Sequence, residues 1–187
     1  PGHTHDANPD VSSFLSNSRN RSYSIPAQKI FNHLVQWENK FYFKNDELIA
    51  QLGFTSNELK EYGEKVTVAG INMTLQNTSY NVRWKHHFNK HFEIVSGSQG
   101  MLQSNANGQY VEEILVPDAN FTDLGAFSLL KGTFNLWNIQ AGARYDNRSI
   151  TTKELVDGFD KSFNGVNYSA GISRSSKNLT TRLNAST

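Results

Sequence analysis

The sequence predicts an all-β fold of about eight antiparallel up-and-down strands that cross a membrane as a β-barrel. Three observations carry that expectation. The first is the stretch Phe121 to Asp146, which reads as two long strands joined by a tight turn at Lys131-Gly132-Thr133. Within it Trp137, Ile139, Ala141 and Ala143 alternate with Asn138, Gln140, Gly142 and Arg144. Successive strand side chains point to opposite faces, so one face is apolar and the other polar. The run lasts roughly a dozen residues, against about 5–6 for a soluble strand and about 9–11 for a tilted strand that crosses a bilayer. The second observation is rhythm. Connections alternate between short, roughly 3–5 residues, and long, roughly 12–17, which is the asymmetry of outer-membrane barrels. The third is composition: only 37% of residues are hydrophobic, yet only 19% are charged. Uncharged polar residues fill the difference, as they do where every second side chain faces water.

Taken in order, residues 1–25 read as an external loop rich in Asn, Ser and Gly, with no period. Residues 26–187 then carry the strands. The first runs about Gln28 to Phe43, with Val35, Trp37, Phe41 and Phe43 on one face. Lys44-Asn45-Asp46 is a turn signal. The second runs about Glu47 to Asn57, and a charged loop over 58–70 follows it. The third, Ile71 to Trp84, closes its apolar face with Tyr80, Val82 and Trp84. The chain turns at His86 to Lys90 into a fourth strand from His91 to Gln103. The loop 104–118 leads to the central hairpin, and the loop 147–162 leads away from it. The last hairpin pairs Phe163–Arg174 with Leu179–Ala185. In this scheme the turns near Asn45, Phe88, Gly132 and Ser176 are periplasmic and the longer loops extracellular.

Several classes are excluded. No apolar run reaches about 18 residues, so no transmembrane helix is expected. A net charge of +1 with 12% aromatics is the wrong balance for disorder. Near-neutral charge without a Lys/Arg cluster gives no nucleic-acid footprint. The absence of cysteine removes disulfides, Cys-based zinc sites and thiol catalysis.

Few residues stand out as candidate sites. His3, His5 and Asp6 place two imidazoles and a carboxylate within four residues, a set suited to a transition metal if further ligands converge. His86, His87 and His91 surround a short turn and read as interfacial residues. Glu112, Glu113 and Asp118 have no histidine or nucleophile nearby in sequence and read as solvated loop charges. Arg144 and Asp146 read as members of a lumenal ion-pair network at the external end of a strand. Trp37, Trp84 and Trp137 fall on apolar faces, as lipid-facing girdle residues do.

A series of short motifs in order resembles the TonB-dependent outer-membrane receptors, particularly their Bacteroidetes-like branch. They include Ile25-Pro26-Ala27-Gln28-Lys29, Leu52-Gly53-Phe54-Thr55-Ser56-Asn57, and the run from Gly97 to Asn105. Leu115-Val116-Pro117-Asp118, Asp123-Leu124-Gly125-Ala126-Phe127 and Ala141-Gly142-Ala143-Arg144-Tyr145-Asp146 follow. The closing Leu183-Asn184-Ala185-Ser186-Thr187 looks like the approach to the family's Gly-Phe-Arg-Ala-Pro motif. The resemblance implies the middle portion of a barrel of about 22 strands, with the plug and the TonB-contacting segment outside this sequence. It further implies uptake of a scarce nutrient such as a siderophore-bound iron, a metal ion or a similar molecule, with no catalysis and no resident cofactor. The implied partners are outer-membrane lipid, the rest of the barrel and its plug, TonB, and a small-molecule or metal-complex substrate. Two rivals remain at this stage: a complete eight-stranded outer-membrane barrel, and a soluble carbohydrate-binding β-sandwich with two packed sheets.

Overall fold

A computed structural model describes residues 25–63, 65, 67–109, 111, 114, 116–153 and 159–187. Eight strands follow one another in the chain: β1 Ala27–Tyr42, β2 Asp46–Tyr62, β3 Ile71–His87, β4 Phe92–Asn107, β5 Ala119–Phe134, β6 Trp137–Thr152, β7 Asp160–Ser175 and β8 Thr180–Ser186. Each pairs antiparallel with its neighbour in sequence, giving a single sheet in the order β1 to β8. Among the described residues β1 pairs only with β2 and β8 only with β7, so this sheet is open. Neither the closed eight-stranded barrel nor the two-sheet sandwich matches this arrangement.

Residues opposed across an antiparallel pair share a face, so the register sorts every side chain. Val35, Trp37 and Phe41 on β1 oppose Phe54, Leu52 and Leu48 on β2. Leu52, Ala50 and Leu48 in turn oppose Tyr80, Val82 and Trp84 on β3. On the other half of the sheet Ile139, Ala141 and Ala143 oppose Ile172, Ala170 and Tyr168. This outer face is mainly apolar near the short turns, over Val35–Phe43, Asp46–Phe54, Leu124–Phe134, Trp137–Tyr145 and Val166–Arg174, with Asn39, Ser96, Ser98 and Ser128 interrupting it and Asp46 and Arg174 at its rim. Each segment matches the about 9–11 residues that a tilted strand needs to cross a bilayer. Farther from the turns the same face becomes polar, through His33, Ser56, Gln76, Ser104, Asn120 and Asn147.

Among the described residues the belt packs against no second layer. Among the described residues only Ile49 and Ala119 are buried apolar side chains, while Trp37 is 47% exposed and Tyr168 59%. A soluble fold cannot leave such a face bare; a bilayer covers it at no cost.

The structure alters several boundaries. The central turn is not Lys131-Gly132-Thr133, which lies inside β5; the chain reverses over Asn135 and Leu136. Asn135 adopts φ 51°, a left-handed conformation that asparagine tolerates better than most residues. β2 also runs through the charged stretch to Tyr62, so the connection is 63–70 rather than 58–70. Its backbone ladder continues past the apolar belt because both faces there are solvated. Lys60 Nζ lies 2.6 Å from Glu58 on one face, and Gln28 donates to Glu61 at 2.5 Å on the other. The Glu58 hydrogen bond raises the Lys60 pKa. For the same reason β4 and β6 reach Asn107 and Thr152, trimming the later long connections to 108–118 and 153–159. The short–long alternation persists, so short turns gather on one rim and longer loops on the other.

Candidate lumenal site

The face opposite the apolar belt mixes polar residues with apolar ones such as Ile49, Val95, Phe127 and Leu129 nearer the short turns, and carries a groove of about 600 Å³ across the middle strands. Gln36, Gln51, Asn81 and Gln99 supply amides to it, and Asp123, Arg144, Asp146 and Arg148 supply charge. Phe163 adds an aromatic edge.

Two arginine–aspartate pairs organise the charged half. Arg148 on β6 faces Asp123 on β5 in register. Its Nε and Nη2 each donate to one carboxylate oxygen at 2.6 Å, the two-pronged geometry that suits a planar guanidinium. That hydrogen bonding raises the Arg148 pKa further, so the side chain remains a cation. Arg144 makes the same grip on Asp146, two residues along its own strand, at 2.7 and 2.5 Å. The Arg144 guanidinium also sits 5.9 Å above the Phe127 ring. Phe127 lies over Gly97 closely enough that a Cβ there would meet its ring at 2.7 Å. These residues stand in mid-strand rather than at a strand's external end.

The amide half is less satisfied. The Oδ1 atoms of Asn77 and Asn81, on the polar face of β3, are shielded and have no hydrogen-bond partner. The groove can hold and orient a polar molecule or a polar protein surface.

The other candidates fall as follows. His3, His5 and Asp6 lie outside the described residues, as do Glu112 and Glu113. Asp118 accepts from the Asn107 backbone N–H at 2.6 Å, a loop-fastening role. His33 lies on the outer face of β1, above the belt. His86 Nδ1 is 2.8 Å from Asp46 Oδ1, and its ring stacks on Trp84 and meets Phe88 edge-on. His91 Nδ1 is instead 2.9 Å from the Thr133 carbonyl oxygen. The three turn histidines therefore do not converge, and no group of three metal-ligating side chains forms among the described residues. Sequence reasoning missed the Asp123–Arg148 pair, although both residues sit on the polar face of the central hairpin.

An open antiparallel sheet with a bilayer-height apolar belt outside and a charged polar wall inside defines a segment of a membrane-spanning β-barrel. A family model for the TonB-dependent receptor-like β-barrel matches residues 2–187. The chain belongs to that family, whose members are outer-membrane receptors and transporters of Gram-negative bacteria. Searches of curated proteins and of solved structures returned no match.

Proposed function

We propose that this chain forms part of the barrel wall of a TonB-dependent transporter that brings a scarce nutrient across the outer membrane. The family match over nearly the whole chain is the observation that carries the reading. In this account the short-turn rim faces the periplasm and the longer loops face outward. The polar wall lines the lumen beside the plug, and TonB drives transport through a segment outside this sequence. The substrate is a siderophore–iron complex, a metal ion or a similar small molecule. His3, His5 and Asp6 belong to the external loop of this proposal, where they would help capture a metal-containing ligand.

The test is uptake by the native host. Deleting the gene for the full receptor should abolish import of one labelled substrate from a panel of siderophore–iron complexes, free metal ions and cobalamin. Deleting TonB should abolish import of the same one. Unchanged uptake of the whole panel in both strains would sink the nutrient assignment. A His3→Ala/His5→Ala receptor that imports a metal substrate at the wild-type rate would remove those residues from the account.

A further inference from the structure

We infer that the short-turn rim of the outer face is a binding site for an anionic phospholipid headgroup, held by Arg174 and Lys177 beside Trp137. The inference rests on the membrane-barrel reading above and on its assignment of the short-turn rim to the periplasmic, phospholipid leaflet.

Trp137 opens β6 at the very end of the apolar belt, and Arg174 on β7 opposes it in register. The Arg174 guanidinium lies 5.6 Å over the Trp137 ring. Lys177 is exposed in the turn that follows β7. Indole rings favour the membrane–water interface, and a guanidinium stacked on one is pre-set to grip two phosphate oxygens. The belt beside them, with Ile139, Ile172 and Leu183, offers an apolar bed for the acyl chains.

Charge on this rim points the same way. On its outer face the described carboxylate is Asp46, and it is already engaged, accepting from Trp84 Nε1 at 2.7 Å and lying 2.8 Å from His86. Glu93 points to the polar face and is held by Lys131 at 3.1 Å and Lys85 at 3.3 Å. Among the described residues Lys44, Lys90, Arg174 and Lys177 make no ion pair with a carboxylate. Four unneutralised cations ending an apolar belt complement the phosphates of an anionic leaflet. Lys44 sits in the β1–β2 turn, four strands from Trp137 and about 19 Å away across the sheet, so it would meet a neighbouring lipid rather than the same one.

The experiment uses the full receptor in nanodiscs of equal phosphatidylglycerol and phosphatidylcholine, transferred to mild detergent, with co-purified lipid quantified by mass spectrometry. Phosphatidylglycerol should be enriched. The enrichment should fall about fivefold in Arg174→Gln and about fivefold again when Lys177→Gln is added, the weight of one interfacial cation each. Lys161→Gln is the control, because Lys161 also sits over an aromatic ring, Phe159 at 5.1 Å, but on the long-loop rim. Equal retention of both lipids by the wild type would overturn the site. So would a loss in Lys161→Gln as large as in Arg174→Gln. A receptor that never enters the nanodisc would overturn the membrane reading beneath it.

Discussion

Arg144 and Asp146 clasp one another along a single strand in space left by Gly125 on the neighbouring one. A Cβ on Gly125 would stand 2.6 Å from Asp146 Oδ1 and 2.7 Å from Arg144 Nη2. The glycine leaves room for the ion pair, and both contacting atoms are tips of flexible side chains. Replacing it with valine should displace those tips and break the pair, at about the 0.2–1 kcal/mol that a part-exposed, screened pair is worth. Asp146→Asn should cost about the same, and the double variant little more than either single one. Denaturant unfolding of the full receptor in detergent measures all three. Additive losses would contradict the steric account.

Tyr80 makes a comparable demand on the outer face. It opposes Gly100 in register, and a Cβ there would come within 2.3 Å of its ring. The ring covers the glycine and its hydroxyl lies 3.0 Å from Ser98 Oγ, an aromatic side chain sheltering backbone that glycine would leave bare. Gly100→Ala should destabilise by about 1–3 kcal/mol, since an aromatic ring cannot yield as a flexible side-chain tip does. Gly100→Ala added to Tyr80→Ser should cost much less than Gly100→Ala alone. Additive losses in that double-mutant cycle would mean the two residues do not compete for space.

How much of this was legible beforehand depends on register. Strand existence, the apolar face and the short–long rhythm follow from period-2 alternation, which a strand enforces residue by residue. The ion pairing of Arg144 with Asp146 was readable for the same reason, since residues two apart share a face. Asp123 with Arg148 was hidden by the misplaced turn. A reversal centred on Gly132 would set Asp123 against Ala141, whereas the observed turn sets it against Arg148. The misplaced turn also carried its own contradiction, because it opposed the polar face of β5 to the apolar face of β6. Matching faces across the hairpin selects the correct parity from sequence alone. The ends of the strands were not legible, because beyond the belt the backbone ladder persists while side-chain alternation no longer distinguishes lipid from water.

The true turn gives its own prediction. At Asn135 φ is 51°, where a β-branched side chain crowds the backbone. Asn135→Val should cost about 1–2 kcal/mol, while Asn135→Gly should stay within a few tenths because glycine enters this region freely. The unfolding midpoint of each variant reads the difference. Equal midpoints would place the strain elsewhere in the hairpin.

The face assignment itself is tested by one cation placed on either side of β7. Ala170 lies at mid-belt on the outer face, opposed by Ala141 and Ala185, while its neighbour Ser169 points to the polar wall. Arginine at the bilayer midplane of a barrel costs about 2–4 kcal/mol, whereas a lumen-facing position remains hydrated. Ala170→Arg should therefore lower the folded fraction of the full receptor sharply in vesicles, read as the heat-resistant band on an unboiled gel. Ser169→Arg should leave that band near its wild-type intensity, because its guanidinium projects into water among other polar side chains. Two equally tolerated arginines would mean β7 does not face hydrocarbon, and the belt would lose its strongest support. Loss in Ser169→Arg alone would reverse the two faces, putting Arg144, Asp146 and the groove on the lipid side. That outcome would require the Arg144 guanidinium in contact with hydrocarbon, where its desolvation costs several kcal/mol.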